Sequence, residues 1–271
     1  MKQGLKYPVL LVHGMGFRDY KLINYWGRIP KILEGLGCQI FYGYQDSNAD
    51  VPTNGRHIAN RIEQILAQTG VEKVHIIAHS KGGLDSRYAI SVAGMGEKVA
   101  SLTTISTPHH GSRTVDWLLK LPRWPIRIGC FFTDCWFRIL GDGAPNTYGA
   151  ILSFTTSAAQ EFNRQVPDYP GVSYQSYAFV MKHPGSDVFM WLTNAVVSLK
   201  EGENDGLLPP KAVKWGEFKG VHRGVGYRGI SHCDEIDMRR MRLSKKKGDG
   251  ISDITDVYKE IFYSLTEAEP S

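Results

Sequence analysis

The ten residues from Val74 to Gly83 constrain the fold of this chain more than any other stretch. Val74-His75-Ile76-Ile77-Ala78 is a short apolar run suited to a strand buried on both faces. It leads through His79-Ser80-Lys81 into Gly82-Gly83 and a helical pattern that reaches Val92. Strand, sharp turn and helix with a serine at the tip form a nucleophile elbow. There the backbone is strained, the hydroxyl is pushed out above the sheet, and small neighbours let strand and helix approach closely. The plainer reading is a serine that only caps a helix, a position serine favours. The residues around it argue for the elbow.

The rest of the chain up to residue 105 has the rhythm of βαβ units and a parallel sheet. Strand-like runs are Val9 to Val12, Gln39 to Tyr42 and Val99 to Ile105, and helical patterns run from about Trp26 to Gly35 and from His57 to Gln68. In the second helix Ile58, Ile62, Ile65 and Leu66 share one face. The rhythm breaks between Ser112 and about Pro170, where Trp117, Trp124, Phe131, Phe132, Trp136 and Phe137 crowd a stretch punctuated by proline and glycine. Regular structure resumes with a strand from Ser173 to Val180, a helix from about Asp187 to Leu199 and a last helix from Ile254 to Leu265. The expectation is one α/β domain over residues 1–271, with a mostly parallel central sheet flanked by helices and an insertion over residues 112–170.

Length and composition agree with one soluble globular domain, because 271 residues with 42% hydrophobic and 22% charged content can bury one substantial core. The apolar runs stop well short of the ~20 residues a membrane span needs, so no transmembrane segment is expected. Thirty-two Lys and Arg against 27 Asp and Glu leave +5, but the bases are scattered apart from Lys245, Lys246 and Lys247. So short a run is a solvated loop rather than a nucleic-acid patch. The apolar run at Tyr7 to Val12 leaves no room for a leader before it, which favours a cytoplasmic home. A secreted protein lacking its leader would read the same. Four cysteines, at 38, 130, 135 and 233, lack metal-knuckle spacing and are expected as free thiols, or at most one bridge between Cys130 and Cys135.

A serine hydroxyl needs an imidazole to take its proton, and the imidazole needs a carboxylate to fix its tautomer. In elbow folds the chain order is serine, acid, histidine. Downstream of Ser80, Glu201-Gly202-Glu203-Asn204-Asp205-Gly206 offers a carboxylate in a tight turn, and Ile230-Ser231-His232-Cys233-Asp234 offers a late histidine. Rivals are His183 and His222 for the base, and Asp187 and Asp234 for the acid. His13-Gly14-Met15-Gly16 follows the first strand, where Met15 N–H, with Lys81 N–H, would supply an oxyanion hole. Taken alone, His13-Gly14 would be a strand-ending turn with a histidine satisfied in the core.

With these residues assembled, the chain resembles the bacterial triacylglycerol lipases of the Pseudomonas, Burkholderia and Proteus type over nearly its whole length. The resemblance lies in YPVLLVHGMGF, NGRHIANRIEQILAQTGVEKVHIIAHSKGGLDSRY, LTTISTPHHGS, ENDGLLP and SHCDEID. It implies an α/β-hydrolase fold and an acylglycerol ester hydrolase with Ser80, Asp205 and His232 as its triad, oxyanion amides at Met15 and Lys81, and no catalytic cofactor. It also implies a structural calcium at Asp187 and Asp234, with carbonyls near Met238 and Arg242, bracing the histidine loop. Ala78 departs from the usual glycine, and the insertion leaves acyl-chain preference open.

Three functions compete. A lipase would use the aromatic insertion as a lid that opens at a transient contact with a lipid interface; the plainer alternative for the same segment is a helical cap whose aromatics are core. A soluble carboxylesterase, thioesterase or acyltransferase would use the same triad, and chain-length and acceptor tests separate it. A hydrolase-like binding module would carry the triad idle, so that an active-site serine probe would fail to label Ser80.

Overall fold

Alternation along the strands decides which side of the sheet each residue serves. The computed structural model describes residues 4–17, 19, 24–246 and 248–269. Lys247 of the basic run and the ends of the expected 1–271 span lie outside the described residues. In β1 (Val9–Val12), Val9 and Leu11 pack against the helices of one face, while Leu10 and Val12 face the other. The first face is covered by α1 (Ile29–Gly35) and α10 (Ile254–Ala268). The second is covered by α2 (Val51–Thr69) and α3 (Lys81–Ser91), whose Ile58, Ile62, Ile65 and Ile90 are fully buried. Both faces of the sheet are therefore core, as a parallel sheet requires.

The strands β1, β2 (Ile40–Tyr42), β3 (Val74–His79), β4 (Val99–Ile105), β5 (Ser173–Val180) and β6 (Glu217–Arg223) form one sheet in the order β2-β1-β3-β4-β5-β6. Every pairing is parallel. Ser80 thus leaves the sheet from a central strand, on the carboxyl edge where open α/β sheets bind ligands.

Several boundaries differ from those the sequence suggests. The helix expected from His57 starts at Val51, because Asp50 caps it by accepting a hydrogen bond from Thr53 N–H at 2.9 Å and Pro52 fits its first turn. The helix expected from Asp187 starts only at Trp191, as α8 (Trp191–Glu201), since Asp187 is held in the preceding loop. The short helix α9 (Pro210–Val213) and strand β6 carry no clear apolar pattern. β6 is an edge strand, mostly half-exposed, with Gly220 at φ +98°.

The stretch 112–170 folds as α4 (Arg113–Leu118), α5 (Arg123–Ile139), α6 (Thr147–Leu152) and α7 (Thr156–Gln165) between β4 and β5. α5 buries Cys130 yet exposes Trp124, Phe131, Phe132 and Trp136 by more than half. Most of these aromatics are therefore not core. All four cysteines are free thiols. Residues 130 and 135 lie about 140° apart around one helix, which points their side chains away from each other. Among the described residues no helix is long and apolar enough to cross a membrane.

Candidate active site

The turn after β3 holds Ser80 at φ 53° and ψ −130°, backbone that a residue with a side chain adopts only when its surroundings force it. Its N–H donates to Ile105 O at 2.8 Å, and its carbonyl accepts from Thr107 Oγ at 2.7 Å. The helix-cap reading does not describe it, because the hydroxyl makes no capping bond to α3. The tight approach also explains the glycines that follow. A Cβ on Gly82 would stand 2.4 Å from His13 O, and one on Gly83 would stand 2.1 Å from Thr107 Oγ1. Ala78, fully buried, fits where the usual pattern has glycine.

Hydrogen bonds fix the loop after β1, which carries Met15 at the edge of the cavity that Ser80 lines. Gly14 N–H donates to Tyr25 Oη at 3.0 Å and Gly16 N–H to Asn48 Oδ1 at 3.0 Å, which fixes the backbone on both sides of Met15. A side chain at position 14 would meet Ser80 Cβ at 2.8 Å. His13 is buried, with its ring at 2.8 Å from Gly14 O and 3.1 Å from Gln45 O, the satisfied core histidine expected of such a turn. Lys81 turns its ammonium into the protein, donating to Asp85 Oδ1 and Oδ2 at 2.6 and 2.8 Å. Burial pushes the Asp85 carboxyl up to about 6 even against that ammonium. The Lys81 backbone N–H stands at the first turn of α3, where helix amides lack an intrahelical partner.

The loops that carry Asp205 and His232, the expected acid and base, are stitched together beyond β5. Met181 N–H donates to Asn204 O at 2.8 Å, Ile230 N–H to Val180 O at 2.9 Å and His232 N–H to Asp205 O at 2.7 Å. His232 Nδ1 then lies 2.8 Å from Asp205 Oδ2, while Asp205 Oδ1 accepts from the Leu207 and Leu208 amides at 2.8 Å each. Burial alone would push the Asp205 carboxyl up, but the His232 ring and the two amides outweigh it and hold it below the usual range. Of the aspartates weighed from the sequence, Asp205 is the one bonded to His232. His183 and His222 lie elsewhere, against Tyr227 and Tyr177. Ser80, His232 and Met15 line one cavity of about 230 Å³ together with Phe17, Phe154, Met190, Leu207 and Met238. No hydrogen bond joins Ser80 to His232 among the described residues; such contacts commonly tighten only when substrate is present.

Beneath the pair lies a buried network that sequence reasoning missed. Glu235 accepts from Ser106 Oγ at 2.9 Å, lies 3.1 Å from His79 Nε2, and approaches His232 Nδ1 at 3.8 Å. His79 Nδ1 in turn lies 2.7 Å from Tyr25 Oη. Burial first, and the Asp205 carboxylate second, push the Glu235 carboxyl well up, and burial likewise pushes His79 well below the usual histidine value. The ligand atoms of His79, His232 and Glu235 lie within 4.8 Å of one another, but they are already engaged with one another and with neighbouring side chains.

A raised carboxyl stabilises the fold most at acid pH, and that contribution is lost as pH rises from the ordinary 4.5 of glutamate toward the higher folded value. Glu235→Gln keeps a neutral group there at every pH. Thermal melts across this window should show the variant gaining on the wild type as pH rises. A constant difference would mean that folding does not raise the Glu235 pKa above its ordinary value.

Asp187 and Asp234, the pair expected to hold calcium, are also brought together, but around guanidinium groups. Arg239 donates to Asp187 Oδ2 at 2.9 Å and places its Nε 3.3 Å from Asp234 Oδ1. The other carboxylate oxygens accept from Phe189 N–H at 2.8 Å, and from Ser231 N–H and Arg228 at 3.2 and 3.4 Å. Calcium requires six to eight oxygens turned toward one point, whereas three of these four carboxylate oxygens accept N–H or O–H bonds, and the fourth, Asp234 Oδ1, buried and without a hydrogen bond, faces the charge of Arg239 Nε at 3.3 Å. The arrangement does not fit the ion. Burial pushes both carboxyls up; at Asp187 the Ser231 hydroxyl, the Phe189 amide and Arg239 outweigh it, whereas at Asp234 burial prevails.

Comparison with known proteins agrees with this architecture. Residues 7–185 match the family model described as alpha/beta hydrolase fold, and the chain belongs to that family. A triacylglycerol lipase of Vibrio cholerae serotype O1 is 36% identical over 259 residues, a match spanning 86% of this chain and 80% of that protein. A triacylglycerol lipase of Pseudarthrobacter phenanthrenivorans is 32% identical over 178 residues, spanning 60% of this chain and 54% of its own length. The chain therefore spans about half of that relative. The crystal structure of Staphylococcus hyicus lipase superposes with a TM-score of 0.71 over 98% of both chains at 17% identity, a likeness of fold.

Proposed function

We propose that the protein is a serine ester hydrolase acting as a triacylglycerol lipase. The observation that carries this reading is the assembly of Ser80 and the His232–Asp205 pair at one apolar cavity on the carboxyl edge of the sheet. His232 takes the Ser80 proton as the hydroxyl attacks the ester carbonyl. Asp205 holds Nδ1–H, so that Nε2 faces the reaction and the imidazolium is stabilised as it forms. The Met15 and Lys81 amides stabilise the oxyanion, a donor being worth about 3 kcal/mol in such sites. The alcohol leaves with the proton from His232, and water then releases the acyl group from Ser80. This chemistry calls for no cofactor, and calcium at Asp187 and Asp234 has no part in the reading.

The surroundings favour a long acyl chain and a lipid surface over a small soluble ester. Trp136, Phe137 and Leu140 of the insertion line a second apolar cavity of about 400 Å³, which shares Phe17, Tyr25, Ile236 and Met238 with the cavity at Ser80. Exposed Val188, Phe189 and Trp191 flank Met190, which lines the cavity at Ser80. In this arrangement α5 lies beside the serine, with its remaining aromatics turned to water. Such a surface gains roughly 25 cal/mol for each Å² that a lipid covers, which suits the lid role of residues 112–170.

The test is a rate survey of p-nitrophenyl esters from acetate to palmitate, alongside emulsified triglyceride. Rates should rise with chain length and jump at the micellar threshold. A preference for acetate with equal rates on both sides of that threshold would favour a soluble carboxylesterase. Faster transfer of the acyl group to an added alcohol or thiol than to water would favour an acyltransferase.

A further inference from the structure

We propose that Arg239, seconded by Arg228, is a built-in cation that braces the His232 loop by clasping Asp187 and Asp234, so that the loop is held without calcium. Ser231, immediately before His232, donates its hydroxyl to Asp187 Oδ2 at 2.7 Å and its N–H to Asp234 Oδ2 at 3.2 Å. The Asp234 N–H returns a bond to the Ser231 hydroxyl at 3.2 Å. The residue that positions the base is therefore suspended between two carboxylates, each only 2% exposed.

Two buried anions so close need positive charge between them, and the guanidinium of Arg239 spans both. The Arg228 guanidinium sits on the far oxygen of Asp234 and donates from Nε to Ser186 O at 2.7 Å. The same carbonyl accepts from Arg239 at 3.4 Å, so both cations are tied to the loop that carries Asp187. Two carboxylates and two guanidinium groups balance in charge, as two carboxylates and one divalent cation would. The arginines enter from the surface, each side chain about a third exposed at 33% and 34%. Their planar forks hydrogen-bond Asp187 Oδ2 and Asp234 Oδ2, and the Arg239 charge stands 3.3 Å from Asp234 Oδ1, which makes no hydrogen bond of its own.

The brace is independent of the hydrolase chemistry, and its test is read by melting as well as by activity. Wild-type protein stripped of metal should melt at the same temperature in EGTA and in calcium chloride. Arg239→Ala should melt several degrees lower in EGTA and recover much of that loss in millimolar calcium, because the freed carboxylate oxygens can then turn to the ion. Hydrolysis of a short soluble ester should follow the same pattern, low in EGTA and restored by calcium. Arg239→Gln, which keeps an N–H toward Asp187 but removes the charge, carries the same comparison should the alanine variant not fold.

A wild-type melting point raised by calcium would overturn the proposal. So would a variant that melts like the wild type. A destabilised variant that calcium does not rescue would show that the guanidinium does not stand in a cation's place. Loss of brace and loss of chemistry are distinguishable, since a protein inactive on every ester would still show these melting shifts.

Discussion

Ser80→Ala should abolish ester hydrolysis while leaving the melting temperature close to that of the wild type. Removing the attacking oxygen of a serine triad lowers turnover on the order of 10⁶-fold in the subtilisin precedent, and what remains comes from the oxyanion amides and substrate binding. The fold should tolerate the change because the hydroxyl makes no capping bond, whereas the backbone of residue 80 is held by Ile105 O and Thr107 Oγ, which alanine retains. Rates on p-nitrophenyl butyrate, with a thermal melt of the same sample, check both halves. A folded variant within about tenfold of the wild type would remove Ser80 from the chemistry, since deleting a triad nucleophile costs far more. Failure of wild-type Ser80 to react with a fluorophosphonate would point to an idle triad.

Ser80 was legible because a local pattern carries it: a strand buried on both faces, a serine and paired glycines need one another at contact distance, as Gly82 against His13 O shows. The strands β1 and β3 were legible as nearly continuous apolar runs in the middle of the sheet, and β4 and β5 by their β-branched and aromatic residues. β6 was not, because an edge strand that is mostly half-exposed carries Lys219, His222 and Arg223 without cost and leaves no run to find. The insertion was visible as an aromatic excess, but the exposure of Trp124 and Phe131 depends on how α5 packs on its neighbours, which periodicity does not encode.

Long-range polar pairing was hardest to read. Asp187 and Asp234 could be marked as a pair by resemblance, yet nothing local announces that Arg239 reaches both. His79 and Glu235 each sit one to three residues from a member of the proposed triad, but their meeting depends on sheet topology that brings β3 beneath the His232 loop.

Asp205→Asn should lower turnover on the order of 10⁴-fold, the loss this change causes in a serine protease by trapping the histidine in the wrong tautomer. The surrounding bonds say why the same trap should close here. Asp205 Oδ1 accepts two backbone amides, from Leu207 and Leu208, so the carbonyl oxygen of asparagine is pinned to that side. Its amide nitrogen must then face His232 Nδ1, which lies 2.8 Å from Oδ2 in the native protein. A donor there makes Nδ1 an acceptor and moves the ring proton to Nε2, the atom that has to receive the proton of Ser80. The variant should therefore fold and bind a substrate analogue with affinity close to the wild type's, while kcat collapses. Among the described residues Glu235 is the neighbouring carboxyl able to blunt the effect, standing 3.8 Å from His232 Nδ1. If Asp205→Asn retained activity and the double change with Glu235→Gln lost it, Glu235 would be supplying the acid. If Asp205→Asn were near normal while Asp187→Asn or Asp234→Asn were inactive, the acid would have been misassigned.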